Sequence, residues 1–137
     1  MLFIHTKMNV NHFYYVRTKN EDDVDGEAFV ARLIEIDDER LIFDHHRTDV
    51  HRSRYSNKST YIYSPESIVF YFDMLDFVQG RRYRFMDCYR RSLDDCFHSY
   101  FGEIVSIDEY EFCIKVDGED GLTCTSIFMM NSIEILF

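Results

Sequence analysis

The groups in this chain best suited to chemistry are thiols and imidazoles gathered near two polar turns. Cys88, Cys96 and His98 flank the stretch RRSLDD, and Asp44-His45-His46 with His51 lie in a polar segment upstream. If Cys88 and Cys96 meet across a hairpin, and Cys96 and His98 share a face at i and i+2, three soft donors converge. A histidine of the 44–51 segment would complete a Cys2His2 tetrahedron, which suits zinc in both softness and ligand number. His45, His46, His51, Cys88, Cys96 and His98 are therefore the candidate metal ligands. The zinc would be structural, because the set leaves no open position and supplies no general base. The spacing C-x7-C-x-H matches no established zinc signature, however, and free cysteines commonly act as small buried apolar groups. Cys113 and Cys124 fall in expected strands and are expected as core-facing thiols.

Catalytic patterns are missing from the rest of the sequence. There is no Gly-rich phosphate loop, no G-x-S-x-G and no H-E-x-x-H. Cys96 and His98 are neighbours without a third group to orient the imidazole. The acids of NEDDVDGE lack the D-x-[DN]-x-[DN]-G spacing of a calcium loop. The expectation is a non-enzymatic protein with no catalytic residue and no cofactor beyond the zinc considered above.

Charge carries more information. With 25 acids against 15 Lys and Arg the formal net charge is −10, which opposes nucleic acid and anionic membranes and favours a basic partner. The acids cluster: Glu21, Asp22, Asp23 and Asp25; Asp37, Asp38 and Glu39; Asp108, Glu109 and Glu111; Asp117, Glu119 and Asp120. These form the candidate partner-binding face. Arg52 and Arg54 in one loop, and Arg81, Arg82, Arg84, Arg90 and Arg91 in the second half, have tyrosines interleaved. That is the composition of a single-stranded nucleic-acid site and forms the competing candidate. The stretch MLFIHTKMNVNH lacks the apolar run of a secretory signal, and no run approaches 18 apolar residues, so a cytoplasmic location is expected.

The elements that must position these groups read as strands. Aromatics make up 17% of residues, with 13 Phe, 10 Tyr and one Pro, a composition that suits pleated, half-buried surfaces. Strands are expected at His12 to Thr18, twice within 28–43 around the turn Asp37-Asp38-Glu39, and on either side of Ser64-Pro65. Further strands are expected at Tyr83 to Arg90, at Phe97 to Ile107, and through the stretch ending at Phe137. Residues 44–59 read as a polar loop, and DMLDFVQGRR at 73–82 as a connector or short helix.

The chain also repeats itself. Ile36-Asp37-Asp38-Glu39-Arg40-Leu41-Ile42-Phe43 aligns with Ile107-Asp108-Glu109-Tyr110-Glu111-Phe112-Cys113-Ile114, which places Leu33 on Ile104. Ser67-Ile68-Val69-Phe70-Tyr71-Phe72 aligns with Ser132-Ile133-Glu134-Ile135-Leu136-Phe137, and Phe13 to Val16 with Tyr83 to Met86. The expected fold is all-β: two barrel-like halves of about five strands, residues 1–76 and 77–137, packed together as one compact unit.

This layout resembles the Sm-like and SH3-like small barrels, which implies five short, bent strands per half. No residue matches the RNA-binding loops of that group. In size, acidity and compactness the chain also resembles the small acidic phage inhibitors of bacterial defence, the anti-CRISPR proteins among them. That resemblance implies a DNA mimic acting in the host cytosol, which would occupy the basic channel of a nucleic-acid-handling enzyme such as a CRISPR nuclease.

Overall fold

The computed structural model describes residues 7–19, 26–48, 59–89 and 96–137, with side chains described outside 88–89 and 96–98. The chain divides into two units, Met1–Leu75 and Asp76–Phe137. Among the described residues every extended element is a β-strand, and the only helical segments are single turns of 3-10 helix.

In the first unit the strands are β1 (Phe13–Thr18), β2 (Ala28–Ile36), β3 (Leu41–Arg47), β4 (Tyr61–Tyr63) and β5 (Ile68–Asp73). They form one antiparallel sheet in the order β4-β3-β2-β1-β5. The second unit contains β6 (Arg82–Tyr89), β7 (Cys96–Asp108), β8 (Glu111–Val116), β9 (Thr123–Ser126) and β10 (Met130–Ile135). Its order, β10-β6-β7-β8-β9, is the same layout. Both sheets stay open: the outer strands β4 and β5, and likewise β9 and β10, do not pair with each other. Residues 44–47, read from sequence as loop, continue β3, because Asp44 and Arg47 keep pairing with Arg32 and Val30.

Alternation along the strands builds each core. Tyr14, Val16, Phe29, Ala31, Leu33, Leu41, Phe43 and Ile68 form a buried cluster in the first unit, with Met8 added from the segment before β1. Tyr83, Phe85, Ile104, Phe112, Ile114 and Ile133 are the corresponding buried residues of the second, and Phe77 is added from the segment before β6. The central hairpins follow the alignment read from sequence. Leu33 pairs with Phe43 and Glu35 with Ile42, just as Ile104 pairs with Ile114 and Ser106 with Cys113. The extra residue between the paired positions, a β-bulge that sharpens strand twist, recurs at the same place in both copies.

The flanking strands correct that alignment. Tyr14 pairs with Ala31 and Tyr83 with Gly102. Tyr83 is therefore the counterpart of Tyr14, one residue from the alignment read from sequence. The slip matters because one residue moves a strand's side chains to the opposite face. The new register explains further shared features. The Asn9 N–H donates to the Tyr14 phenol (2.6 Å), and the Val78 N–H donates to the Tyr83 phenol (2.9 Å). Asn11 (φ 75°) and Gly80 (φ 87°) both turn through the left-handed region, and each donates its N–H to a carbonyl of the next strand, Leu33 and Ile104 respectively.

At the other flank, Val16 pairs with Tyr71 and Phe85 with Ile133. Ile68 therefore corresponds to Met130, three residues from the Ser-Ile match read from sequence. The 3-10 turns explain the shift: Pro65–Ser67 leads into β5 and Ile127–Met129 leads into β10, so the turn and not the Ser-Ile pair fixes the register.

The expectation for Cys113 and Cys124 is overturned. They are opposed on β8 and β9 and joined as a disulfide. Cys113 is half-buried and Cys124 exposed, so neither belongs to the core. Their counterparts in the first unit are Ile42 and Ile62, also a directly opposed pair.

Candidate functional site: acidic strand-end turns and an aromatic stack

Each acidic turn in the described residues is built by its own backbone. In the turn between β2 and β3, the Asp37 carboxylate accepts the N–H groups of Glu39 and Arg40, both at 2.8 Å. These bonds, with Arg40 nearby at 3.5 Å, hold its pKa below the usual carboxylate range. Asp38 and Glu39 project beside it, exposed. In the equivalent turn between β7 and β8, Asp108, Glu109 and Glu111 are exposed, and Glu109 adopts φ 55°. The turn after β8 carries Asp117, Glu119 and Asp120, with Gly118 and Gly121 supplying the left-handed conformations.

The last two turns lie at opposite ends of β8, a six-residue strand; strands of that length span about 17–20 Å. The acids of the second unit therefore occupy both poles of its sheet and not one continuous patch. Glu21, Asp22, Asp23 and Asp25 lie outside the described residues.

Arginines already engaged within the fold offset part of this charge. Arg82 forms a two-point pair with the Asp117 carboxylate, which draws the Asp117 pKa down. Arg84 bonds Ser99 Oγ at 3.0 Å and approaches Glu134 at 3.7 Å, while Arg81 lies 4.0 Å from Asp76. Arg32 pairs with Asp44 through two bonds of 2.9 and 2.5 Å and lowers the Asp44 pKa to about 2. Among the described residues, no ion pair engages Glu39, Asp108, Glu109, Glu111, Glu119 or Asp120. Arg52, Arg54, Arg90 and Arg91 lie outside the described residues.

Of the candidate metal ligands, Cys88, Cys96 and His98 are described by strand register alone. Cys88 pairs with Phe97 and Cys96 with Tyr89, so the two cysteines are offset by one register step and are not cross-strand partners. His98 pairs with Asp87. His45 and His46 are consecutive in β3, and His45 is exposed beside Asp44 at 3.0 Å. His51 lies outside the described residues. Among the described residues no three His, Cys, Asp or Glu side chains form a metal-holding group, and the candidate set of Cys88, Cys96, His98 and His51 lies outside the side chains described.

His46 instead enters an aromatic stack that the sequence reading missed. Its ring lies on Phe29 at 4.3 Å and under Tyr61 at 4.0 Å, while Tyr63 lies on Phe29 at 4.8 Å. His46 and Tyr63 are nearly coplanar, at 9°, and joined edge to edge by a 2.9 Å hydrogen bond from Nε2 to the phenol. The Tyr63 hydroxyl donates to Glu27 Oε2 at 2.7 Å. With its own O–H directed at Glu27, the phenol oxygen accepts from His46, which selects the neutral Nε2–H tautomer. Burial lowers the His46 pKa, and the Glu27 charge opposes that shift. Burial and then the Glu27 bond raise the Tyr63 pKa far above its ordinary value.

The second unit has Tyr100 where the first has Phe29, and Thr123 and Thr125 where the first has Tyr61 and Tyr63. The signal available in the sequence was Y-x-Y facing F-x-x-H across β4 and β3. It becomes visible only when the register of a three-residue strand is known.

No protein-family model matches the chain, and no curated protein matches it. Among the described residues no helix is long and apolar enough to cross a membrane.

Proposed function

We propose that this chain is a non-enzymatic binding protein that docks its exposed strand-end carboxylates on a basic macromolecule. The supporting observation is the partition of charge: Arg81, Arg82 and Arg84 face acids of their own unit, whereas the turn acids Glu39, Asp108, Glu109, Glu111, Glu119 and Asp120 are left for a partner. Carboxylates raised on rigid hairpin turns, about a strand length apart, suit a positively charged groove that normally holds phosphates. In its most concrete form the protein is an anti-CRISPR-type inhibitor, a DNA mimic blocking the nucleic-acid channel of a defence enzyme. The same partition disfavours the alternative in which Arg81, Arg82 and Arg84 hold single-stranded nucleic acid.

Reversing Glu109, Glu111, Glu119 and Asp120 to Lys tests the reading. The native protein is expected to leave a labelled oligonucleotide unbound at low salt, and to displace that oligonucleotide from an RNA-guided nuclease in a salt-sensitive manner. The reversed variant is expected to lose the displacement while keeping its β-sheet circular dichroism. Direct binding of the oligonucleotide by the native chain, or displacement that survives the reversal, overturns the proposal.

A further inference from the structure

We propose that the Cys113–Cys124 bridge is a thiol–disulfide exchange site, through which a dithiol reductant releases the outer strand β9 from its sheet. Three features of the second unit lead there. The bridge joins directly opposed residues of β8 and β9, and the Cys124 side of it is exposed to an incoming thiolate. β9 is four residues long, lies at the sheet edge and contributes no buried side chain. Its counterpart β4 is held differently: Tyr61 stacks on His46, and Tyr63 packs on Phe29 and on the buried cluster of its unit. Thr123 and Thr125 replace those two rings, so on β9 the covalent bond takes the place of aromatic packing.

The exchange is balanced by ordinary thiol chemistry. A thiolate of the reductant attacks Cys124 Sγ, the Cys113–Cys124 bond breaks, and Cys113 leaves as a thiolate that takes up a proton. The reductant's second thiol, deprotonated, attacks the mixed disulfide and expels Cys124, which is protonated in turn. The protein gains two electrons and two protons, and the reductant ends as its own disulfide. With the bridge open, β9 keeps its backbone pairing and the Ser126 cap on the following 3-10 turn, and the release of its Thr123–Cys124 end exposes the edge of β8. This inference does not depend on the charge-based docking proposed above.

Hydrogen exchange by mass spectrometry on the full-length chain, with and without dithiothreitol, tests it. Cys113 and Cys124 are expected to resist iodoacetamide until reductant is added. Reduction is then expected to accelerate exchange across residues 123–126 by ~10-fold or more, leaving 61–63 unchanged. The variant C113I/C124I, carrying the first unit's Ile pair, is expected to be insensitive to reductant. C113S/C124S is expected to exchange at 123–126 as fast as the reduced native chain, and it keeps the test open if the Ile pair does not fold. Alkylation of both cysteines before reduction, or complete reduction with unchanged exchange at 123–126, overturns the proposal.

Discussion

The two units share a sheet order, a bulge and a pair of buried tyrosines, yet they fasten the same outer strand by unrelated means. In the first unit β4 is held by rings: Tyr61 and Tyr63 stack with His46 and Phe29. In the second, β9 is held by a covalent bond. What the copies share lies in the hairpin core, where bulge, turn and alternation fix the register. What differs lies at the edge, where any attachment that brings a short strand against its neighbour is sufficient.

The core half of this comparison is broken most severely through Phe112 and its counterpart Leu41. Both are essentially buried, and Phe112 packs against Phe77 and Phe85 at 5.0 and 5.4 Å. Phe112→Ala is expected to cost about 3–5 kcal/mol and Leu41→Ala about 2–5 kcal/mol, read as lost hydrogen-exchange protection in the sheet that carries the substitution. Loss confined to the wrong sheet would show that the units are not separate cores.

The edge half is tested by removing the bridge and, for comparison, the Ile side chain at the matching position of the first unit. C113S/C124S opens a loop whose ends are 11 residues apart, for which the chain-entropy relation gives about 3 kcal/mol in the second unit. The matched change in the first unit, Ile62→Ala, removes a side chain that is 60% exposed and is expected to cost under about 1 kcal/mol. Equal losses would mean that the bridge is not the main hold on β9.

A smaller difference is expected at the paired tyrosines. Tyr14→Phe deprives the Asn9 N–H of its acceptor, while Tyr83→Phe deprives the Val78 N–H and also removes the bond from the phenol to the Asp76 carbonyl. Losses of about 1 kcal/mol for Tyr14 and about 2 kcal/mol for Tyr83 follow, measured by denaturant unfolding. A larger loss at Tyr14 would contradict the extra role given to Tyr83.

The hairpin repeat was legible because the turn sequence and the alternation of Leu33, Leu41 and Phe43 recur, residue for residue, at Ile104, Phe112 and Ile114. The outer strands were not legible in the same way. Tyr14 and Tyr83 were masked by aromatic neighbours that let the strand slide by one, and Ser67-Ile68 resembled Ser132-Ile133 although the preceding 3-10 turns set a different register. The bridge was missed because Cys113 and Cys124 are opposed only once the β8 to β9 turn is closed, and a cytosolic reading disfavoured disulfides. The candidate acids were legible as turns. Their separation to opposite poles of β8 was not, since sequence clustering ignores the length of the strand between two turns.

The finest test of the two attachments is pH, to which the aromatic one alone is expected to respond near neutrality. Burial lowers the His46 pKa in the folded state, so on acidification the unfolded chain takes up its proton first, near the ordinary value of about 6.5. The stabilisation is therefore complete above that value and is lost as pH falls through it toward the lower folded-state pKa. In the second unit the pair Arg82–Asp117 depends on a carboxylate whose pKa is lowered, so its contribution is present above the ordinary carboxylate value of about 3.9 and is lost only on acidification through that value, outside this range. Between pH 7.5 and 5.5, protection at 61–63, corrected for the intrinsic pH dependence of amide exchange, is accordingly expected to fall while protection at 123–126 stays constant. His46→Phe, which keeps the stack and removes the titrating group, is expected to flatten the response at 61–63. A response that survives in that variant would place the titrating group elsewhere and leave the two attachments indistinguishable by acid.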